Sequence, residues 1–155
     1  MEPMRILYIS IEGNTRAFVS DLEHYAMAQH VKNKGLPTIV TKEISEQSDF
    51  EDETEPFFCF VPTYLDGGNG IDNGVKELLT TVMGEYIGYH NNFRKLQGVV
   101  GSGNRNFNEQ YCLTAKRYCE KFHAPFVADY ELRGMPNDTH RIYRKLVEQV
   151  QLNEM

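Results

Sequence analysis

The sequence predicts an α/β fold: a five-stranded parallel sheet in the order 2-1-3-4-5, with helices on both faces as the outer layers of a three-layer sandwich. Three observations predict it. Short apolar runs alternate with longer segments whose apolar residues recur at helical spacing, the pattern of a parallel sheet wrapped by helices. Five such runs occur, and right-handed crossovers leave few ways to order them. The chain has 155 residues, enough to bury one core, and no internal repeat or composition break marks a second. It reads as one domain over residues 1–155, with its core over about 4–150.

The elements follow in order. Residues 4–10, Met-Arg-Ile-Leu-Tyr-Ile-Ser, are a short apolar run before a Gly-Asn turn and read as a buried strand. From Thr15 to about Lys34 the chain reads as a helix, with Phe18, Val19, Leu22, Tyr25 and Ala26 on one face and Gly35 and Pro37 as its stop. Thr38 to Lys42 is a second strand. Pro56 to Thr63 is a third, apolar enough to be central in the sheet. Asp72 is placed to cap a helix that turns Val75, Leu78, Leu79, Val82 and Tyr86 to one side. Leu96 to Gly101 is the fourth strand. Gln110 to Phe122 is a helix on Tyr111, Ala115, Tyr118 and Phe122, and Pro125 to Leu132 is the fifth strand. Asn137 or Asp138 caps a last helix carrying Ile142, Leu146 and Val150, and Gln151 to Met155 is expected to fray. A helix is missing only between the second and third strands.

That gap holds an acidic run. Residues 43–55 contain seven carboxylates and no Lys or Arg, within a chain of net charge −6. Residues 1–90 carry −9 and residues 91–150 carry +4. The balance excludes a general nucleic-acid binder, and the run itself reads as a solvated connection. Three cysteines without a CxxC pair and five scattered histidines point to neither a disulfide framework nor a metal centre. Cys112 and Cys119 read as core packing, and His90 and His123 as structural. The N-terminus shows no secretory signal, and no run is long enough to span a membrane, so a cytoplasmic location is expected.

In such a sheet ligands bind beyond the carboxyl ends of the strands, at the switch between strands one and three. Three loops meet there. The first, Ser10-Ile11-Glu12-Gly13-Asn14-Thr15, brings hydroxyls and unpaired backbone N–H groups to a helix start, which is an anion site. The plainer reading is a βα turn in which Asn14 or Thr15 caps the helix. Glu12 must point outward if an anion binds. The second, Pro62-Thr63-Tyr64-Leu65-Asp66-Gly67-Gly68-Asn69-Gly70, combines an aromatic face with glycines that allow close approach of a flat ligand. Read alone, it is a Gly-rich surface loop. The third, Gly101-Ser102-Gly103-Asn104-Arg105-Asn106-Phe107-Asn108, offers amides for the edge of a planar heterocycle and Phe107 to stack on it.

A ligand with a phosphate at one end and a flat redox ring at the other fits between these loops, and FMN is the natural candidate. Neither a Walker A loop nor GxGxxG is present. A receiver domain would need clustered aspartates where this chain has Ser10 and Thr63. A cysteine-dependent phosphatase would need a cysteine in the first loop, and none lies in residues 1–58.

The loop Ser10–Thr15, the pair Thr63-Tyr64 leading to Gly67-Gly68, and the run Gly101-Ser-Gly-Asn-Arg-Asn-Phe107 together resemble the NrdI family of flavodoxin-like proteins. Tyr111-Cys112 and Glu131-Leu-Arg-Gly134 fit as well, so the resemblance covers roughly residues 4–150. Glu12 departs from the threonine usual in that phosphate loop, and Gly134-Met135-Pro136 from the usual start of the last helix. The resemblance implies FMN held by Ser10, Gly13, Asn14, Thr15, Thr63, Tyr64, Gly67, Gly68, Ser102, Gly103, Asn104, Asn106 and Phe107. It implies a flavin redox accessory protein whose partners are the class Ib ribonucleotide reductase small subunit, an unidentified reductase as electron donor, and O2. Reduced flavin would supply superoxide or a related oxidant for the subunit's dimanganese-tyrosyl radical cofactor. A general flavodoxin-type electron carrier is the alternative.

Overall fold

The computed structural model describes residues 1–63, 81–104 and 111–155. Its elements are β1 (Met4–Tyr8), α1 (Asn14–Lys32), β2 (Ile39–Glu43), β3 (Phe57–Pro62), α2 (Thr81–Gly88), a tight 3-10 segment (Tyr89–Lys95), β4 (Leu96–Gly103), α3 (Leu113–Phe122), β5 (Phe126–Glu131) and α4 (Pro136–Asn153). The strands form one parallel sheet in the order β2-β1-β3-β4-β5, as the sequence predicts.

β3 explains the layering. All six of its residues are buried. Because side chains alternate across a strand, Phe58 and Phe60 face one way and Phe57, Cys59 and Val61 the other. The first face packs on α1 through Phe18, Val19 and Leu22, and on α4 through Ile142, Tyr143 and Leu146. The second packs on α2 through Met83, Tyr86 and Ile87, and on α3 through Ala115, Tyr118 and Phe122. Each buried Phe contributes about 1.5–3 kcal/mol of transfer free energy, so the central strand anchors both layers. Gly101 in β4 lets α3 approach closely: a Cβ there would lie 2.6 Å from that of Ala115.

Several boundaries differ from expectation. β1 ends at Tyr8 rather than residue 10, and β4 runs on to Gly103. α3 begins at Leu113, which leaves Tyr111 outside the helix, with its hydroxyl donating to Asp129 at 3.1 Å. Asp138 is not the cap of α4. Met135 holds that position, and Asp138, three residues on, reaches back to accept the Met135 N–H at 2.8 Å. The helix then continues to Asn153, where fraying was expected. The 3-10 segment was not foreseen, and it holds His90 and Asn91 at positive φ. Asp72 and the apolar residues 75–79 lie outside the described residues.

The acidic run is not simply a solvated connection. Glu53 is buried: its carboxylate takes hydrogen bonds from Lys42 at 2.7 Å, Tyr86 at 2.5 Å and Arg5 at 3.0 Å. Its backbone N–H donates to the buried Asn92 side chain at 2.8 Å. Asp52 meets His90 at 2.6 Å, and Glu51 meets Lys42 at 2.5 Å. Phe50 packs edge-on against Tyr86. The segment where a helix is missing is thus tied down by its own acids against α2 and β2.

Candidate functional site

The carboxyl ends of β1, β3 and β4 are neighbours in the sheet, so the chain leaves all three strands at one edge. Backbone bonds join them: Ile9 N–H to the Phe60 carbonyl at 3.3 Å, and Thr63 N–H to the Ser102 carbonyl at 2.9 Å. Of the thirteen candidate residues, Ser10, Gly13, Asn14, Thr15, Thr63, Ser102, Gly103 and Asn104 are described, and they lie along this edge. Tyr64, Gly67, Gly68, Asn106 and Phe107 lie outside the described residues, as do Leu65, Asp66, Asn69, Gly70, Arg105 and Asn108.

The first loop has the form of an anion cradle. Gly13 stands at the N-cap of α1 with φ +90°, a left-handed conformation that favours glycine. It has no side chain to cap with, so the N-cap residue itself satisfies none of the first N–H groups. The first helical bond runs from Ala17 N–H to the Gly13 carbonyl at 3.0 Å, and Arg16 N–H reaches the Ser10 hydroxyl oxygen at 3.3 Å. The N–H groups of Asn14 and Thr15 have no acceptor among the described residues. No acidic residue lies in the first turn of α1, and Glu12 is exposed. Thr15 is 1% exposed, and its hydroxyl is buried without a hydrogen-bond partner. A buried orphan hydroxyl costs about 1–3 kcal/mol, so its presence beside unpaired N–H groups and the positive end of a helix suits a bound phosphate.

Thr63 is partly committed to the fold. Its hydroxyl oxygen accepts the Thr114 backbone N–H at 2.9 Å, which caps α3. The oxygen's own proton is left to donate elsewhere. Ser102 is buried at the end of β4, and the Gly103 carbonyl accepts Leu132 N–H at 2.9 Å. The sequence reading missed this use of Thr63 because the contact spans 51 residues. It also missed the turn at Ser45–Ser48, whose Ser45, Glu46 and Gln47 line a cleft of about 200 Å³ together with Ile9, Ser10, Ile11 and Val82. A Ser-Glu-Gln-Ser run after a strand is a turn signal that could have found it.

Neither Cys59 nor Cys119 offers a reactive thiolate here. Burial pushes the Cys59 thiol far above its ordinary range and the Cys119 thiol to about 11. Cys112 is buried at the start of α3. Among the described residues no group of three His, Cys, Asp or Glu side chains is placed to hold a metal ion, and no helix is long and apolar enough to cross a membrane.

Comparison with known proteins bears on the family and the fold. The family model described as NrdI flavodoxin-like matches residues 6–144. An NrdI-like protein of Streptococcus pneumoniae (strain R6) is 46% identical over 142 residues, covering 92% of this chain and 91% of that protein. Its counterpart in strain TIGR4 is 48% identical over 143 residues, with the same coverage. Among solved structures, a short-chain flavodoxin associated with a bacterial microcompartment superposes with a TM-score of 0.62 at 17% identity, covering 98% of this chain and 99% of that one. At that identity the likeness speaks to the fold alone.

Proposed function

The chain belongs to the NrdI flavodoxin-like family, and from that premise we propose that it binds FMN and serves a class Ib ribonucleotide reductase. In this reading a cytoplasmic reductase passes electrons to the flavin. Bound FMN would supply the redox chemistry, the reduction of O2 to superoxide or a related oxidant for assembly of the small subunit's dimanganese-tyrosyl radical cofactor. Neither nucleic acid nor membrane takes part.

The observation that carries the cofactor assignment is Thr15, whose buried hydroxyl lacks a partner in the first turn of α1. Ser10, Gly13, Asn14 and Thr15 would hold the phosphate through neutral donors. Thr63, with its oxygen fixed by Thr114, would donate its proton toward the ligand, and Ser102, Gly103, Asn104 and Asn106 would meet the polar edge of the ring. Tyr64 and Phe107 are the aromatic side chains the sequence offers for the ring faces, and Gly67 and Gly68 would let a peptide unit turn at flavin N5.

The test is direct. The purified protein should take up one FMN and turn yellow. Reduced without oxygen, then mixed with O2 and manganese-loaded small subunit, it should generate tyrosyl radical. A protein that binds FMN and reduces flavodoxin-dependent acceptors but yields no radical would instead be a general electron carrier.

A further inference from the structure

Arg16 stands third in α1 and bonds in two directions. Its backbone N–H reaches the Ser10 hydroxyl oxygen at 3.3 Å. Its guanidinium grips Glu43 with both prongs, Nε to Oε1 and Nη2 to Oε2, each at 2.8 Å. Glu43 ends β2 and pairs across the sheet with Tyr8, two residues before Ser10. Glu43 is therefore a member of the acidic run that the fold sets beside the first loop, as is Glu46, which lines a cleft with Ser10 and Ile11.

The electrostatics of that loop are otherwise unfavourable to an anion. Glu12 lies within it and has no ion-pair partner among the described residues. Lys42, the neighbour of Glu43, is already committed to Glu51 and Glu53. A phosphate dianion there would bind near the Glu43 and Glu46 carboxylates with only neutral donors and a helix end of about half a charge in its favour. Arg16 cancels the Glu43 carboxylate, and the bidentate fork fixes the cancellation in place.

We infer that Arg16 sets the discrimination between FMN and riboflavin, by neutralising Glu43 at the edge of the loop rather than by touching the phosphate. The inference rests on the FMN reading above. Charge is its only route, so it acts on the phosphorylated flavin and leaves the unphosphorylated one alone. The Arg16 side chain is exposed and that of Glu43 is half-buried.

The experiment measures FMN and riboflavin affinity by fluorescence quenching in the wild type, Arg16→Gln, Glu43→Gln and the double variant, at low and high salt. Arg16→Gln exposes Glu43 and should weaken FMN roughly threefold or more at low ionic strength, with the loss shrinking as salt screens it. Riboflavin affinity should not change. Glu43→Gln should bind FMN as well as the wild type or better, and the double variant should recover wild-type affinity. A double variant as weak as Arg16→Gln would mean direct contact with the phosphate and overturn the inference alone. Equal losses for both flavins would reveal a merely structural role and overturn it too. A wild-type protein that takes up neither flavin would overturn the FMN reading, and this inference with it.

Discussion

Thr114 donates its backbone N–H to the hydroxyl oxygen of Thr63 at 2.9 Å, joining the end of the central strand to the first turn of α3. Thr114 is fully buried, so without that acceptor its N–H would be left unpaired in the interior. Thr63→Val should therefore cost the flavin-free protein about 1–2 kcal/mol. Thr63→Ser, which keeps the oxygen, should cost much less. Urea unfolding of the two variants checks this. Equal losses would mean that the threonine methyl, rather than the cap, is what matters.

Glu53 makes stability depend on pH. Burial opposes its ionisation, but the hydrogen bonds from Lys42, Tyr86 and Arg5 outweigh burial, and its carboxyl is held below the ordinary value of 4.5. A depressed carboxyl stabilises the fold above its unfolded value and loses that contribution as the pH falls toward the folded one. Glu53→Gln should be less stable than the wild type at pH 7 by about 1–3 kcal/mol, the cost of a broken buried network. Below pH 4.5 the two stability curves should converge. Parallel curves across the acid range would show that Glu53 is not the group responsible.

Gly134 and Gly13 both have positive φ, at +80° and +90°, but only one is crowded. A Cβ at Gly134 would meet the Phe18 ring at 2.5 Å, and that ring is stacked on Tyr130. A Cβ at Gly13 would meet nothing within 4 Å. Gly13→Ala should thus pay backbone strain alone, about 1–2 kcal/mol. Gly134→Ala should pay strain and overpacking together, about 2–5 kcal/mol. The difference between their denaturation midpoints reports the Phe18 contact, and equal midpoints would remove it from the account.

What could be read in advance was local. Phe57–Pro62 announces a central strand because its apolar run is unbroken, and α1 announces itself through the spacing of Phe18, Val19 and Leu22. The loop Ser10–Thr15 was legible because its chemistry lies within six consecutive residues. What escaped depended on distant pairings. Nothing in the acidic run marks Glu53 for burial, since its partners Arg5, Lys42 and Tyr86 come from three other elements. The Arg16–Glu43 pair requires the register of β1 on β2, which periodicity does not supply. The start of α4 was misplaced for a subtler reason: Asn137 and Asp138 are cap-type residues, but the chain uses Asp138 from inside the helix, on the Met135 N–H.

Thr15 provides the sharpest test of the cofactor site, because its two expected effects have opposite signs. In the flavin-free protein its hydroxyl is buried and unpaired, so it costs the fold free energy. Thr15→Val keeps the β-branched shape and removes the unmet polar group. Without flavin the variant should be as stable as the wild type or more stable, by up to about 1–3 kcal/mol. With FMN the same change removes a donor to a charged phosphate, a bond that contributes about 1.5–3 kcal/mol. The dissociation constant should then rise roughly tenfold or more. Thr15→Ser should retain most of the wild-type affinity. Urea unfolding without flavin and a fluorescence-quenching titration with FMN measure the two effects separately. A variant that loses stability and keeps its affinity would place the Thr15 hydroxyl in the structural framework of α1 and take it out of the phosphate site.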